Sequence, residues 1–392
     1  MSSNDTIQFR IQVAFFAFIR TVFNTTFRMI YPFLPVFSRG LGVDISTLSL
    51  ALTSRQAIGI FGPFLSILFE SRGRKLGILI SLSIFTIGVI LVVIWPIYPV
   101  FFLTLVLTTL GKYMFDPVMQ GYIGEQVPYP KRGLAIAITE LGWSIAFIVG
   151  IPLMGFLISR QGWMSPFLLL AILGFLSILI IGKILQPTSK SDIDFSKIIS
   201  NCRRVLSYPP ALTALLIGIT ISVANEVINL VFGLWLEDSF GLEIMALGGA
   251  AAAIGIAELG GESLMGVFTD RLGKARSVGV GIIANALSSA ILPIFGQSPT
   301  GAVIGLFLFY ITFEFTLVSV IPMMTEIMPS SRVTLMAFNV AGLSLGRGLG
   351  ALIAPPIYIF GIVFSALVVV LFDIMAFIAL LRLSRMDTHA KL

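Results

Sequence analysis

Charge is scarce in this chain: Asp, Glu, Lys and Arg make up 11% of its 392 residues. A water-facing globule of that length could not clothe its surface with so few ionised groups, so a soluble domain is excluded. Cysteine is almost absent. The single Cys202 rules out an internal disulfide and a cysteine metal site. Histidine also occurs once, as His389, which leaves proton chemistry inside apolar segments to carboxylates. The sequence has no Gly-x-x-x-x-Gly-Lys-Ser/Thr phosphate loop, no nucleophilic triad and no metal-ligand cluster. Nothing therefore points to an enzyme, a nucleotide-driven pump or a bound cofactor.

Apolar length is what the chain has in abundance. Hydrophobic residues make up 57% and the mean hydropathy is +1.02. Stretches of at least about 20 residues, enough to cross roughly 30 Å of hydrocarbon, recur from end to end. Twelve spans are predicted, near 9–38, 45–69, 76–96, 98–122, 134–159, 164–186, 210–236, 244–268, 277–297, 299–324, 334–358 and 359–383. The fold class is an all-α membrane protein. The polar start MSSNDTIQFR is not expected to be a cleavable signal, because the first apolar stretch is long and holds Arg20 and Arg28. The net charge of +6 reports topology rather than a nucleic-acid partner. With twelve spans and a cytoplasmic N-terminus, 18 of the 25 Lys and Arg fall inside, and only Arg39 and Arg160 outside. Both termini are accordingly expected in the cytoplasm, the chain lying in an inner or plasma membrane.

The charged turns GVFTDRLGKARS, 266–277, and SILFESRGRKLG, 66–77, stand about 200 positions apart and are related. Glu70 matches Asp270, Gly73 Gly273, Arg132 Arg332, Gly142 Gly342 and Gly150 Gly350, all at an offset of 200, while Glu125 matches Glu326 at 201. Six spans repeated once keep their orientation, which gives two parallel six-helix bundles, 1–186 and 210–392, joined by a cytoplasmic linker over 187–209. The two turns resemble the signature of the major facilitator superfamily: a Gly, an acid four residues on, then a Gly and a basic cluster. The copy with Gly266, Asp270, Arg271, Gly273, Lys274 and Arg276 is the closer fit. The upstream copy has Ser66 and Glu70 before Gly73, Arg74 and Lys75. The resemblance implies the major facilitator fold, alternating access, and a latch through Glu70 and Asp270 that favours the outward-open state.

The sequences PFLP, 32–35, and GWSIAFIVGIPLMG, 142–155, further resemble the proton-coupled drug exporters of that superfamily, whose Gly-Pro motif Gly142, Gly150, Pro152 and Gly155 match. Small residues let helices approach, and proline removes a backbone hydrogen bond, so such a helix flexes. Where that branch carries an Arg in its fourth helix, TTLGKYMFDP offers Lys112 as the nearest base.

Twelve ionisable residues fall within the spans: Arg20, Arg28, Arg55, Lys112, Asp116, Glu140, Glu226, Glu258, Glu262, Glu314, Arg347 and Asp373. Facing lipid at the bilayer centre, each would cost about 2.5–3.5 kcal/mol, so most are expected in a wet cavity or against one another. Asp373 could instead pair locally. Arg20, Asn24 and Arg28 lie four apart with Tyr31 near the same stripe, and Lys112 with Asp116 is an i,i+4 ion pair. Glu258 and Glu262 are also i,i+4, and two nearby carboxylates resist ionising together. They are candidates for proton coupling, followed by Glu226 and the Lys112–Asp116 pair. The alternative is that these acids neutralise Arg20, Arg28 or Arg55. Asn225, Asn229, Asn339 and Arg55 join Arg20, Asn24, Arg28 and Tyr31 as candidate substrate residues. Glu314 is a cation anchor or the partner of Arg347.

The expectation is a monomeric secondary transporter exporting amphipathic organic compounds in exchange for protons. Proton-coupled uptake of an organic anion or nutrient, and lipid translocation, are the alternatives.

Overall fold

The computed structural model describes residues 3–70, 73–127, 129–186 and 195–390. Among them every regular element is helical: α1 Ser3–Arg28, α2 Leu34–Leu41, α3 Ile45–Glu70, α4 Arg74–Ile94, α5 Tyr98–Gln126, α6 Tyr129–Ile145, α7 Ile151–Gln161, α8 Ser165–Ile184, α9 Phe195–Leu206, α10 Pro209–Phe240, α11 Ile244–Leu272, α12 Lys274–Phe295, α13 Pro299–Ile327, α14 Arg332–Tyr358 and α15 Ile362–Ala390. All twelve expected spans fall on helices. Ten of these are long and apolar enough to cross a membrane by length and composition alone, among the described residues.

Two spans differ from the continuous helices expected. The first breaks after Arg28, where a turn over 29–33 separates α1 from α2. Pro32 disfavours helical backbone at Tyr31, and Pro35 opens α2. Tyr31 therefore sits in the turn, off the helical stripe of Arg20 and Arg28, though it is buried. The fifth span contains a π turn, Ala146–Gly150, between α6 and α7. Pro152 has no N–H to offer Ile148, and the ladder widens so that Ile151 donates to Ala146 O instead. The linker holds a helix, α9, that its polar sequence did not suggest. Residues 187–194 of the linker lie outside the described residues.

The chain divides into two compact units, Met1–Val43 with Phe61–Ile193, and Asp44–Ile60 with Asp194–Leu392, so that α3 contributes to both. In the first unit α4 packs on α5 and α8, and α1 on α6. In the second α10 packs on α14 and α15, and α13 on α11 and α12. The first part of α3, up to Ile60, belongs to the second unit because it lies on α14. Ser49 donates to Ala351 O, and Thr53 donates to Gly348 O at 3.2 Å. Asp44 caps that part of α3, accepting from Thr47 N at 2.6 Å, and the Thr47 hydroxyl together with this N–H holds its carboxyl below the usual range.

The repeat is visible in backbone conformation. The positive-φ residues described are six glycines, and they form three pairs at offsets of 199 or 200: Gly42 (66°) with Gly241 (62°), Gly73 (96°) with Gly273 (83°), and Gly162 (85°) with Gly361 (93°). Each ends a helix or starts the next in a conformation that a Cβ would disfavour.

Candidate functional site

In the first unit, glycine brings α6 onto α1. A Cβ on Gly142 would lie 2.9 Å from Ala17 O and 3.0 Å from Arg20 Cβ, and one on Gly150 would lie 2.1 Å from Thr25 Oγ1. That approach lets α1, α5 and α6 share a charge network. Arg20 Nε stands 3.1 Å from Asp116 Oδ1, and its NH1 stands 2.5 Å from Glu140 Oε1. Lys112 Nζ donates to Asp116 Oδ2 at 2.7 Å, and Gln120 donates to Glu140 at 3.2 Å. Arg28 lies two turns along α1, its guanidinium carbon 3.4 Å from the ring centroid of Phe147 and 4.1 Å from that of Trp143. It also donates to Trp143 O at 3.3 Å. The π turn thus carries the ring on which Arg28 rests. Between the two arginines, Asn24 is fully buried and neither atom of its amide has a hydrogen-bond partner among the described residues.

In the second unit the polar stripe is on α10. Ser222 donates to Leu343 O of α14 at 2.8 Å. The fully buried Glu226 accepts from Asn229 Nδ2 at 3.2 Å, and Asn229 Oδ1 accepts from Tyr310 Oη of α13 at 3.0 Å. Gly346 and Gly350 make room for this stripe: a Cβ on Gly350 would lie 2.6 Å from Glu226 Cβ, and one on Gly346 2.4 Å from Ile219 O. One turn beyond Tyr310 on α13 comes the buried Glu314, whose Cβ is 2.9 Å from the place a Cβ would take on Gly261 of α11. Glu258, three residues before Gly261, lies toward that face of α11, while Glu262 lies one turn beyond Glu258 and about 100° round the helix from Gly261. Glu258 is buried and Glu262 half-buried. Glu258 and Glu314 are therefore buried on the sides by which α11 and α13 meet. Asn339 is buried with its Oδ1 beside Gly218, and Arg347 is half-buried. Arg55 is buried on the part of α3 that belongs to this unit. Asp373 is buried on α15, and its Oδ2 has no hydrogen-bond partner among the described residues, so no local pairing of that atom is found there.

The turns at the ends of α3 and α11 hold a contact that the sequence reading did not assign. Arg74 Nε pairs with Glu125 Oε1 at 2.9 Å, and Lys274 pairs with Glu326. Nearby, Arg132 Nε donates to Val127 O at 2.7 Å and Arg332 Nε to Thr325 O at 2.9 Å. Base and acid are thus repeated together. The offset of 201 between Glu125 and Glu326 was the signal that could have named these acids as partners. The side chains of Glu70 and Asp270, to which the latch was assigned, lie outside those described. Trp143, Phe147 and Tyr310 were also missed. Tyr310 was open to detection through its i,i+4 spacing to Glu314.

Comparison with known proteins places these units. Residues 16–351 match the model of the Major Facilitator Superfamily. The inner membrane transport protein YdhP of Escherichia coli is 32% identical over 146 residues, a stretch that is 37% of this chain and 37% of that protein. The multi-drug resistance efflux pump PmrA homolog of Lactococcus lactis is 24% identical over 290 residues, 70% of each chain. Among solved structures, a bacterial homolog to the human lysosomal transporter Spinster superposes with a TM-score of 0.76 at 14% identity, over 98% of both chains. The nucleoside transporter NupG gives 0.75 at 14% identity, over 97% of this chain and 99% of its own.

Proposed function

The chain belongs to the Major Facilitator Superfamily, and from that premise we propose that it exports amphipathic organic compounds across the cytoplasmic membrane in exchange for protons, as a monomer with both termini in the cytoplasm. Secondary transport itself comes with the family, and an enzyme is excluded. The observation that carries the finer reading is the burial of Glu258 and Glu314 on the sides by which α11 and α13 meet, with Glu262 one turn from Glu258. Carboxylates collected in a water-poor place take up and release protons in turn, as a proton-coupled cycle requires. Glu226, tied to Asn229 and Tyr310, is the next candidate. Arg20, Lys112, Asp116 and Glu140 form a closed ion network whose first role is to hold α1, α5 and α6 in register. Asn24, Arg28, Asn225 and Asn339 are the residues left to meet a substrate.

The similarity to an efflux pump supports export. Uptake of an organic anion draws on a different observation, the guanidinium of Arg28 held against two aromatic rings beside the buried amide of Asn24. Direction is tested with purified protein in vesicles under an imposed pH gradient. Substrate movement opposite to protons supports export, and accumulation in the direction of proton flow overturns it. Glu258→Gln or Glu262→Gln should abolish gradient-driven transport while leaving substrate exchange intact. If both variants drive uphill transport normally, the carboxylates are structural. Lipid translocation would instead give movement of labelled phospholipid between leaflets.

A further inference from the structure

Helix α9 has a role that neither the fold nor transport explains. Its apolar positions 195, 198, 199, 202, 205 and 206 recur at helical spacing and form one stripe. Among the described side chains, the bundle covers one edge of it. Val205 is fully buried in the core that contains Ala211, Met328 and Leu335, and α9 touches α10, α14 and the short turn Pro329–Ser331. Along the other edge Ile199 and Leu206 stay 68% and 52% exposed. Cys202 between the edges is half-buried, Arg203 stands exposed on the flank beside Ile199, and Arg204 stands exposed on the opposite, polar side. Such a helix, anchored on one apolar edge, open on the other and flanked by bases, has the form of one that lies in a membrane interface.

The position of α9 agrees. It ends three residues before α10 enters the membrane at Pro209. The same end of the second unit carries Arg271, Lys274 and Arg276 at the α11–α12 turn, and Arg332 at the start of α14. The opposite ends of these helices carry Glu237, Asp238 and Glu243, and the connections over 237–243, 296–298 and 359–361 contain no Lys or Arg. Charge along the unit therefore sets the α9 end against an anionic layer.

We propose that α9 docks on the acidic phospholipid surface of the bilayer, with Ile199 and Leu206 at the acyl boundary, Arg203 on lipid phosphates and Arg204 within the attractive field above them. Docking fixes the segment that joins the two halves of the chain to the membrane plane.

Because Cys202 is the only cysteine, a fluorophore attached there reports from this helix alone. The full chain, labelled at Cys202, is placed in vesicles of phosphatidylcholine and in vesicles that also contain phosphatidylglycerol, with brominated acyl chains as quencher. Expected are blue-shifted emission and strong quenching only with phosphatidylglycerol, both weakened by high salt. Two bases near an anionic surface are worth about tenfold or more in the docked-to-free ratio, so Arg203→Glu with Arg204→Glu should lower it by that factor, while Arg203→Lys with Arg204→Lys keeps it. Inorganic phosphate added to phosphatidylcholine vesicles should not reproduce the shift; if it does, the site takes a free anion and the proposal fails. Equal quenching in both lipids overturns it, as does an unaltered response in the double Glu variant. Efficient cross-linking of two chains through Cys202 would assign the open edge to a second copy, and that too overturns it.

Discussion

Replacing Gly150 by alanine puts a methyl carbon 2.1 Å from Thr25 Oγ1, 3.0 Å from its Cγ2 and 3.1 Å from its Cβ. To restore an ordinary 3.4 Å contact with Oγ1, the π turn and α1 must part by about 1.3 Å. Thr25 is buried and β-branched, so it has few rotamers by which to retreat. Overpacking of this kind costs about 1–3 kcal/mol. For a unit of this size each kcal/mol lowers the melting temperature by about 2–4 °C, giving a fall of roughly 2–12 °C. The assay is thermal unfolding of detergent-purified protein followed by size-exclusion recovery. Thr25→Ala removes Oγ1 and Cγ2, so the Gly150→Ala/Thr25→Ala double variant should regain most of the loss. At the repeat-equivalent position the outcome differs. Gly350→Ala meets Glu226 Cβ at 2.6 Å and Val223 O at 2.9 Å, atoms that no truncation of Glu226 to alanine removes, so there is no rescue. A Gly150→Ala protein that melts with the wild type, or a double variant no more stable than the single, would refute the reasoning.

Asp116→Asn takes from Lys112 an acid 2.7 Å away and from Arg20 one of its two. Breaking a buried pair by removing one partner costs about 3–5 kcal/mol, and adding Lys112→Met should recover much of it in the same melting assay. Glu125→Gln and Glu326→Gln remove half-exposed acids from matching turns. Each should change stability by less than about 1 kcal/mol while shifting conformational cycling, read as labelling of outward-facing positions; an unmoved labelling pattern would deny these pairs a latch role. Burial pushes the Cys202 thiol above its ordinary range. Its maleimide labelling at neutral pH should therefore be slower than that of a free thiol and rise at higher pH, with the ordinary profile returning on unfolding; equal rates at neutral pH would contradict this.

What the sequence made legible follows from which interactions are local. Span positions depend on runs of apolar residues, and Gly73 and Gly273 announce their turns because nothing else takes that φ easily. The Lys112–Asp116 contact was readable because both ends lie on one helix. The partners of Arg20 were not, since Asp116 and Glu140 come from two other helices brought together by Gly142, and no spacing encodes that approach. The π turn escaped because Pro152 in a membrane helix predicts flexing without saying whether the ladder kinks or widens. The helix α9 escaped because its six apolar positions are interleaved with Ser, Asn and Arg, so that a reading for long apolar runs passes over it.

The repeat separates what the fold demands from what the cargo demands. Positive-φ glycines, the base–acid pairs Arg74–Glu125 and Lys274–Glu326, and the close-approach glycines Gly150 and Gly350 occur in both halves, where they serve turns and helix packing. Asn24 and Asn225 also match, at an offset of 201, and each has a buried amide oxygen with no hydrogen-bond partner among the described residues. One residue on, the halves part: Thr25 in the first stands where Glu226 does in the second, and Arg28 where Asn229 does. The glycines facing Thr25 and Glu226 are equivalent, so the scaffold is unchanged and only its chemistry differs. A duplicated helix pair that needed nothing but packing would have no use for a buried carboxylate in one copy and a buried guanidinium in the other, each costly to hold in a membrane. The divergence falls on α1 and α10, at the turns of helix that carry Asn24 and Asn225, and on the proposed transport reading substitutions there should change what is carried while leaving the fold intact.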